Sequence, residues 1–131
     1  MSDWPIAKNG ILLFTKNITS AANAGDVTVA TATLQSCLIK SIIVKANDAQ
    51  TADLTYIIVS GGASKVVTFI DQVSGIRGNI AVATKQVAWT GAVTLDATDT
   101  IVITLAGSGA TAVNLQITIE YEAIVDGGYL A

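Results

Sequence analysis

After Pro5 the chain carries no further proline, and apolar and polar side chains alternate along much of it with the period of a strand. The last such run is the clearest. Val113, Leu115, Ile117, Ile119 and Tyr121 interleave with Asn114, Gln116, Thr118, Glu120 and Glu122. Successive strand side chains point to opposite faces, so this run has one apolar and one wet face, the pattern of a half-buried antiparallel strand. Val27, Thr28 and Val29 repeat it more faintly. About a third of the chain is Ile, Val or Thr, residues that are stiff at χ1 and suit a pleated surface. No ten-residue segment shows a helical stripe, and residues 20–24 are helix-tolerant but too short. Turn chemistry separates the runs at Ser60-Gly61-Gly62-Ala63-Ser64, Asp96-Ala97-Thr98-Asp99 and Gly107-Ser108-Gly109. Strands are expected near 11–18, 26–34, 36–46, 53–60, 64–71, 79–84, 86–95, 100–106 and 112–124. Many short strands with frequent turns predict an all-β antiparallel sandwich, jelly-roll-like, of eight or nine strands. It spans residues 11–124, between an N-terminal arm (1–10) and a C-terminal tail (125–131).

The middle strands read differently. Leu38, Ile42 and Val44 share one face by parity, and Ile39 and Ile43 the other; Leu54, Tyr56 and Ile58 oppose Ile57 and Val59. Two apolar faces imply burial on both sides, whereas a lone two-layer sandwich buries only the inward one. Another subunit, a long loop or a third layer could cover the outward face; a neighbouring subunit is the favoured cover, with Ile43, Ile57 and Val59 as candidate contact residues. The arm adds Trp4 and Ile6, and the tail adds Tyr129 beyond the Gly127-Gly128 hinge. Trp4 either packs back on its own domain or inserts into a partner. The irregular stretch 71–79 carries Arg77, either an interface anchor or a solvated loop charge.

Composition excludes several kinds of chemistry. Charged residues make up 13% and the net charge is −3, with seven scattered Lys and Arg, so no electrostatic footprint for nucleic acid exists. The chain has no histidine and one cysteine, which removes His-based triads, Cys–His pairs and closed zinc sites. Cys37 reads as a small buried hydrophobe. No phosphate-cradling G-x-x-x-x-G-K-S/T loop occurs. Glu120 and Glu122 share a face, but as part of a solvated alternation; Asp96 and Asp99 flank a turn without a calcium-loop pattern. No enzyme activity, cofactor or metal is expected. Residues 1–5 lack a basic segment followed by an apolar run, so no signal peptide is expected. No apolar run approaches a membrane span. A transmembrane barrel fits the alternation, but 5% aromatic content is too little for two girdles.

One ordering of residues resembles a known group. Lys40-Ser41-Ile42-Ile43-Val44-Lys45-Ala46-Asn47-Asp48 leads into Ala52-Asp53-Leu54-Thr55-Tyr56-Ile57-Ile58-Val59. Later come Trp89-Thr90-Gly91-Ala92-Val93-Thr94-Leu95, then Asp99-Thr100-Ile101 and the terminal alternating strand. Residues 36–124 thereby resemble small β-sandwich virion proteins of tailed bacteriophages, of the head decoration (cement) or head–tail accessory type. Thr98 stands where that pattern has Gly before Asp99. The resemblance implies a virion structural protein, assembled in the host cytoplasm, with a capsid decoration role the leading expectation. Its partners would be its own copies, a homotrimer first, and the major capsid or other virion proteins, with no nucleic acid or membrane. The alternative is a carbohydrate- or receptor-binding module of a tail or fibre.

Overall fold

The computed structural model describes residues 10–19, 25–50, 54–107 and 113–131. Within them run nine strands: β1 (Ile11–Ile18), β2 (Gly25–Thr33), β3 (Cys37–Ala46), β4 (Tyr56–Gly61), β5 (Val67–Ile70), β6 (Gln86–Leu95), β7 (Thr100–Ala106), β8 (Leu115–Ala123) and β9 (Tyr129–Leu130). Two 3-10 turns lie at Ala63–Lys65 and Arg77–Asn79.

The strands nest as four antiparallel pairs: β1 with β8, β2 with β7, β3 with β6, and β4 with β5. Further pairing of β3 with β8 and of β4 with β7 joins them into two sheets, ordered β1-β8-β3-β6 and β5-β4-β7-β2-β9. This is the two-sheet, eight-stranded jelly roll, with β9 added outside β2. The expected fold class is therefore the observed one. Inward residues of both sheets form a single core, including Ile39, Ile42, Val44, Ile57, Val59, Ile101, Ile103, Leu115, Ile117 and Ile119.

The expected strand over 79–84 is absent. Arg77–Asn79 forms a 3-10 turn, and the chain then turns through Thr84, whose φ is 73°. The backbone N–H of Thr84 donates to the Ala46 carbonyl and that of Ala46 to the Lys85 carbonyl. The segment is thus held against the end of β3 rather than paired along a strand.

The two-faced reading of β3 also needs correction. Pairing with β8 passes from Ile39·Tyr121 to Ser41·Glu120, so Lys40 is an extra residue in β3. Such a bulge reverses side-chain parity. Ile39 therefore turns into the same core as Ile42 and Val44, and Leu38 and Ile43 face outward. In β4, Ile57 and Val59 are the inward residues and are fully buried. They pack in the chain's own core, not on an outward contact face.

The sandwich closes between β5 and β6. Phe69 is the extra residue of a bulge in β5, and its ring meets Trp89 of β6 edge-on, centroids 4.8 Å apart. A Cβ on Gly61 would lie 2.6 Å from the Phe69 ring, and one on Gly91 2.6 Å from the Trp89 ring. Glycine at these two positions makes room for the aromatic pair.

The tail is docked rather than free. Gly127 takes φ 97° and lets the chain reverse, after which Thr31 and Ala131 exchange backbone hydrogen bonds. Leu130 is buried, and its N–H donates to the Tyr121 hydroxyl at 3.1 Å. Burial raises the Tyr121 phenol above its ordinary pKa, partly offset by that hydrogen bond. The buried Cys37 thiol is likewise raised by desolvation.

Thr98, which stands where the resembling pattern has glycine, takes φ 78°, a region that disfavours β-branched residues. Its N–H donates to the Ala32 carbonyl, and the Asp96 N–H donates to Asp99 Oδ2, so both acids serve the turn. Thr98→Gly should raise stability by about 0.5–1 kcal/mol, the left-handed penalty less the entropic cost of glycine, seen as a higher urea midpoint. Tyr121→Phe should cost about 1 kcal/mol by leaving the Leu130 N–H without its acceptor. The phenol is raised in the folded state, so its stabilising effect is complete below the unfolded pKa near 10 and fades as pH rises toward the folded value. Alkaline urea titrations should show a shallower loss for Tyr121→Phe than for wild type.

Candidate assembly surface

The outward face of the β1-β8-β3-β6 sheet can be read across its registers. Ile11, Glu122, Leu38 and Thr94 form one row, and Leu13, Glu120, Ser41 and Thr90 the next. Thr15, Thr118, Ile43 and Ala88 follow, then Asn17, Gln116, Lys45 and Gln86. Ile11 and Leu13 are 68% and 70% exposed, and Leu38 and Ile43 are half-buried. Two apolar strips, on β1 and β3, thus flank the acidic strip of Glu120 and Glu122 on β8. This face can bury apolar area against a partner while its charges select the partner's orientation.

The outward face of the other sheet is mostly polar. Rows Asp26·Thr104·Ile58 and Thr28·Val102·Ser60 cross β2, β7 and β4. The Lys65 ammonium donates to Asp26 Oδ2 at 2.6 Å and the Thr104 hydroxyl to Oδ1 at 2.7 Å. Lys65 first, then Thr104, holds the Asp26 carboxyl below the usual range. Tyr56 and Ile58 are the half-buried outward residues of β4, where the sequence pointed to Ile57 and Val59.

The two ends of the sandwich differ. At one, Leu34, Val66, Ile124 and Val125 are exposed on turns. At the other, Asn47 Nδ2 donates to Asn114 Oδ1 at 3.0 Å, Asn114 Nδ2 to Asp48 Oδ2 at 3.1 Å, and the Asn114 N–H to Oε1 of buried Gln50 at 3.1 Å. This amide network clamps the β3–β4 loop to the start of β8. It escaped sequence reasoning because its members lie in separate loops.

Arg77 sits in a loop that is bound to β4. The Ile57 N–H donates to the Gly75 carbonyl at 2.9 Å and the Arg77 N–H to the Thr55 carbonyl at 3.1 Å. A Cβ on Gly75 would run into the Ile57 carbonyl oxygen, so this approach needs glycine. Asp71 caps the loop by accepting the Ser74 N–H at 2.8 Å, which lowers its pKa. Beside the loop lies an open groove of about 410 Å³, lined by Ser74, Asn79, Lys85, Gln86, Val87 and Ala88. Among the described residues no cluster of His, Cys, Asp or Glu is arranged to hold a metal.

Of the expected contact residues, Ile43 faces outward, Arg77 is half-buried in its loop, and Tyr129 is half-buried on β9 against the core. Trp4 and Ile6 lie outside the described residues. Sequence reading missed Ile11 and Leu13, although the alternation with inward Leu12 and Phe14 carried the signal.

No protein-family model matches this chain, and no curated protein matches it in sequence. Solved structures do match in fold. A chain of the acid-stable capsid of Helicobacter pylori bacteriophage KHP30 aligns at TM-score 0.58 and 11% identity, over 95% of this chain and 95% of that one. A chain of the cyanophage Pam1 capsid asymmetric unit aligns at TM-score 0.58 and 12% identity, over 94% and 91%. The shared property is the jelly roll, matched nearly end to end.

The inward and outward assignments predict opposite mutational outcomes. Ile57→Ala should cost about 2–5 kcal/mol, as for any large-to-small change in a packed core, and Ile43→Ala should change stability by less than about 1 kcal/mol. Chemical denaturation of the two variants checks this.

Proposed function

We propose that this chain is a bacteriophage virion structural protein, a capsid decoration or cement protein that binds the particle as a homo-oligomer, a homotrimer first. One observation carries the reading: the described residues form a jelly roll, and the chain aligns over 95% and 94% of its length with chains of two phage capsids. A part of that size contributes to a shell by area and symmetry, and several modest contacts multiply when copies bind together. The outward face of the β1-β8-β3-β6 sheet is the contact surface best supported. The residue order around Lys40–Val59 and Trp89–Ile101 supports the same reading. Its partners are other copies and the major capsid or another virion protein, with no catalytic step, nucleic acid or membrane involved. The carbohydrate-binding alternative is less favoured, because Phe69, Trp89 and Tyr121 all turn inward.

Ile43→Lys tests the surface without touching the core. A charge placed in a dry contact costs several kcal/mol, on the order of 3–5. Light scattering behind size exclusion should show an oligomer for wild type and a smaller species for the variant. Cosedimentation with capsids should fall in parallel. A wild-type monomer that ignores capsids would overturn the proposal.

A further inference from the structure

The end of the sandwich built from the β2–β3, β6–β7 and β8–β9 turns carries apolar side chains where turn chemistry calls for polar ones. Leu34 is 68% exposed, and Ile124 and Val125 are 39% and 45% exposed. Leu34 is also left-handed, at φ 68°. For the isolated domain both features are unfavourable. The backbone there suits Gly or Asn, and the side chain keeps its apolar surface in water. A backbone outlier that carries an exposed apolar side chain points to a role outside the domain.

These turns form one platform. The Ile124 N–H donates to the Ser36 carbonyl at 3.2 Å, and the Gly128 N–H to that of Val125 at 3.1 Å. A Cβ on Gly128 would lie 2.8 Å from the Ser36 carbonyl oxygen, so the β8–β9 turn is drawn closely around the β2–β3 turn. The β6–β7 turn is bound to the end of β2. There the Ala32 N–H donates to the Asp99 carbonyl and the Thr98 N–H to the Ala32 carbonyl, both at 2.8 Å. Backbone hydrogen bonds thus hold the three turns on one surface before any partner arrives, which spares binding the cost of ordering a loop.

The charge on this platform has one sign. Residues 34–36, 96–99 and 124–128 include three aspartates and no Lys or Arg. Asp96 Oδ1 accepts the Ser36 hydroxyl at 3.5 Å, and Asp99 Oδ2 accepts the Asp96 N–H at 3.0 Å. Among the described residues neither carboxylate has a cationic partner. Lys65, on the fourth turn of this end, is already committed to Asp26. Like ends of two copies would set aspartate against aspartate, and nucleic acid or an anionic bilayer would be repelled in the same way. A protein surface with Lys or Arg around an aliphatic centre meets both the apolar residues and the charge.

We propose that Leu34, Ile124 and Val125, flanked by Asp96 and Asp99, dock this chain on another protein at a basic patch with an aliphatic centre. The outward face of the β1-β8-β3-β6 sheet then joins copies, and this end meets the particle. Identifying the partner as a virion protein rests on the function proposed above; the chemistry of the surface does not.

The experiment uses the full-length chain and two kinds of probe. In amide NMR titrations, acetyl-Lys-Leu-Leu-Lys-amide should shift the amides of these three turns, and acetyl-Glu-Leu-Leu-Glu-amide should bind at least about tenfold more weakly. Added salt should weaken the lysine peptide. Leu34→Asn should remove its binding, yet the urea midpoint of that variant should equal or exceed wild type, because asparagine tolerates the left-handed backbone. In cosedimentation with capsids, Leu34→Asn and Asp96→Lys should each lower affinity about tenfold, with the oligomer unchanged by light scattering. Lysine-peptide shifts confined to other residues, equal binding of both peptides, a lower urea midpoint for Leu34→Asn, or capsid binding untouched by both variants overturns the proposal. A wild type that binds the lysine peptide at this end yet ignores capsids upholds the surface and overturns the capsid reading alone.

Discussion

A single extra residue in the central strand of one sheet sets the geometry on which the rest depends. β3 is flanked on both sides, by β8 and β6, and must supply one uninterrupted face to the core. Without the bulge at Lys40, Ile39 would share a face with Ile43 and leave the core. With it, Ile39, Ile42 and Val44 all point inward against Ile57, Val59, Ile101 and Ile103. The bulge also increases local twist, as a sheet that wraps over a second one requires. The same device recurs at Val29 in β2 and Phe69 in β5, each time turning an additional side chain to the core.

Once the faces are assigned, the surface divides by chemistry. One sheet exposes threonines and the Asp26–Lys65–Thr104 group, a wet face with its charge already partnered. The other exposes apolar strips on β1 and β3 around two glutamates. Core stability and surface recognition are thereby separable: replacing an outward residue on β3 leaves the buried packing in place. The nested strand pairs persist where sequence does not: the two phage capsid chains share this fold at only 11% and 12% identity.

The ends and edges show how local chemistry supports this frame. Tyr121 belongs to the inward run of β8 and also gives the Leu130 N–H an acceptor, so a core residue holds the tail in place. The amide network of Asn47, Asp48, Gln50 and Asn114 ties one end together with polar contacts. The Phe69–Trp89 pair closes the side of the sandwich where, among the described residues, strands β5 and β6 have no outer neighbour.

Much of this was legible from residue order because strand periodicity is local. Alternation located eight of the nine strands, and the lack of histidine together with a lone cysteine removes whole classes of chemistry from the sequence by itself. Thr98 departs from the resembling virion-protein pattern, which has Gly before Asp99, and its left-handed backbone is the physical form of that departure. The two-residue strand β9, the inward turn of Ile57 and Val59, and the single apolar face of β3 were decided only in three dimensions. A bulge leaves no mark in composition, since it is defined by the partner strand's register, and a two-residue strand has no period to detect. Which face of a doubly apolar strand is inside depends on where the second sheet lies, and that is a property of long-range pairing rather than of any segment by itself.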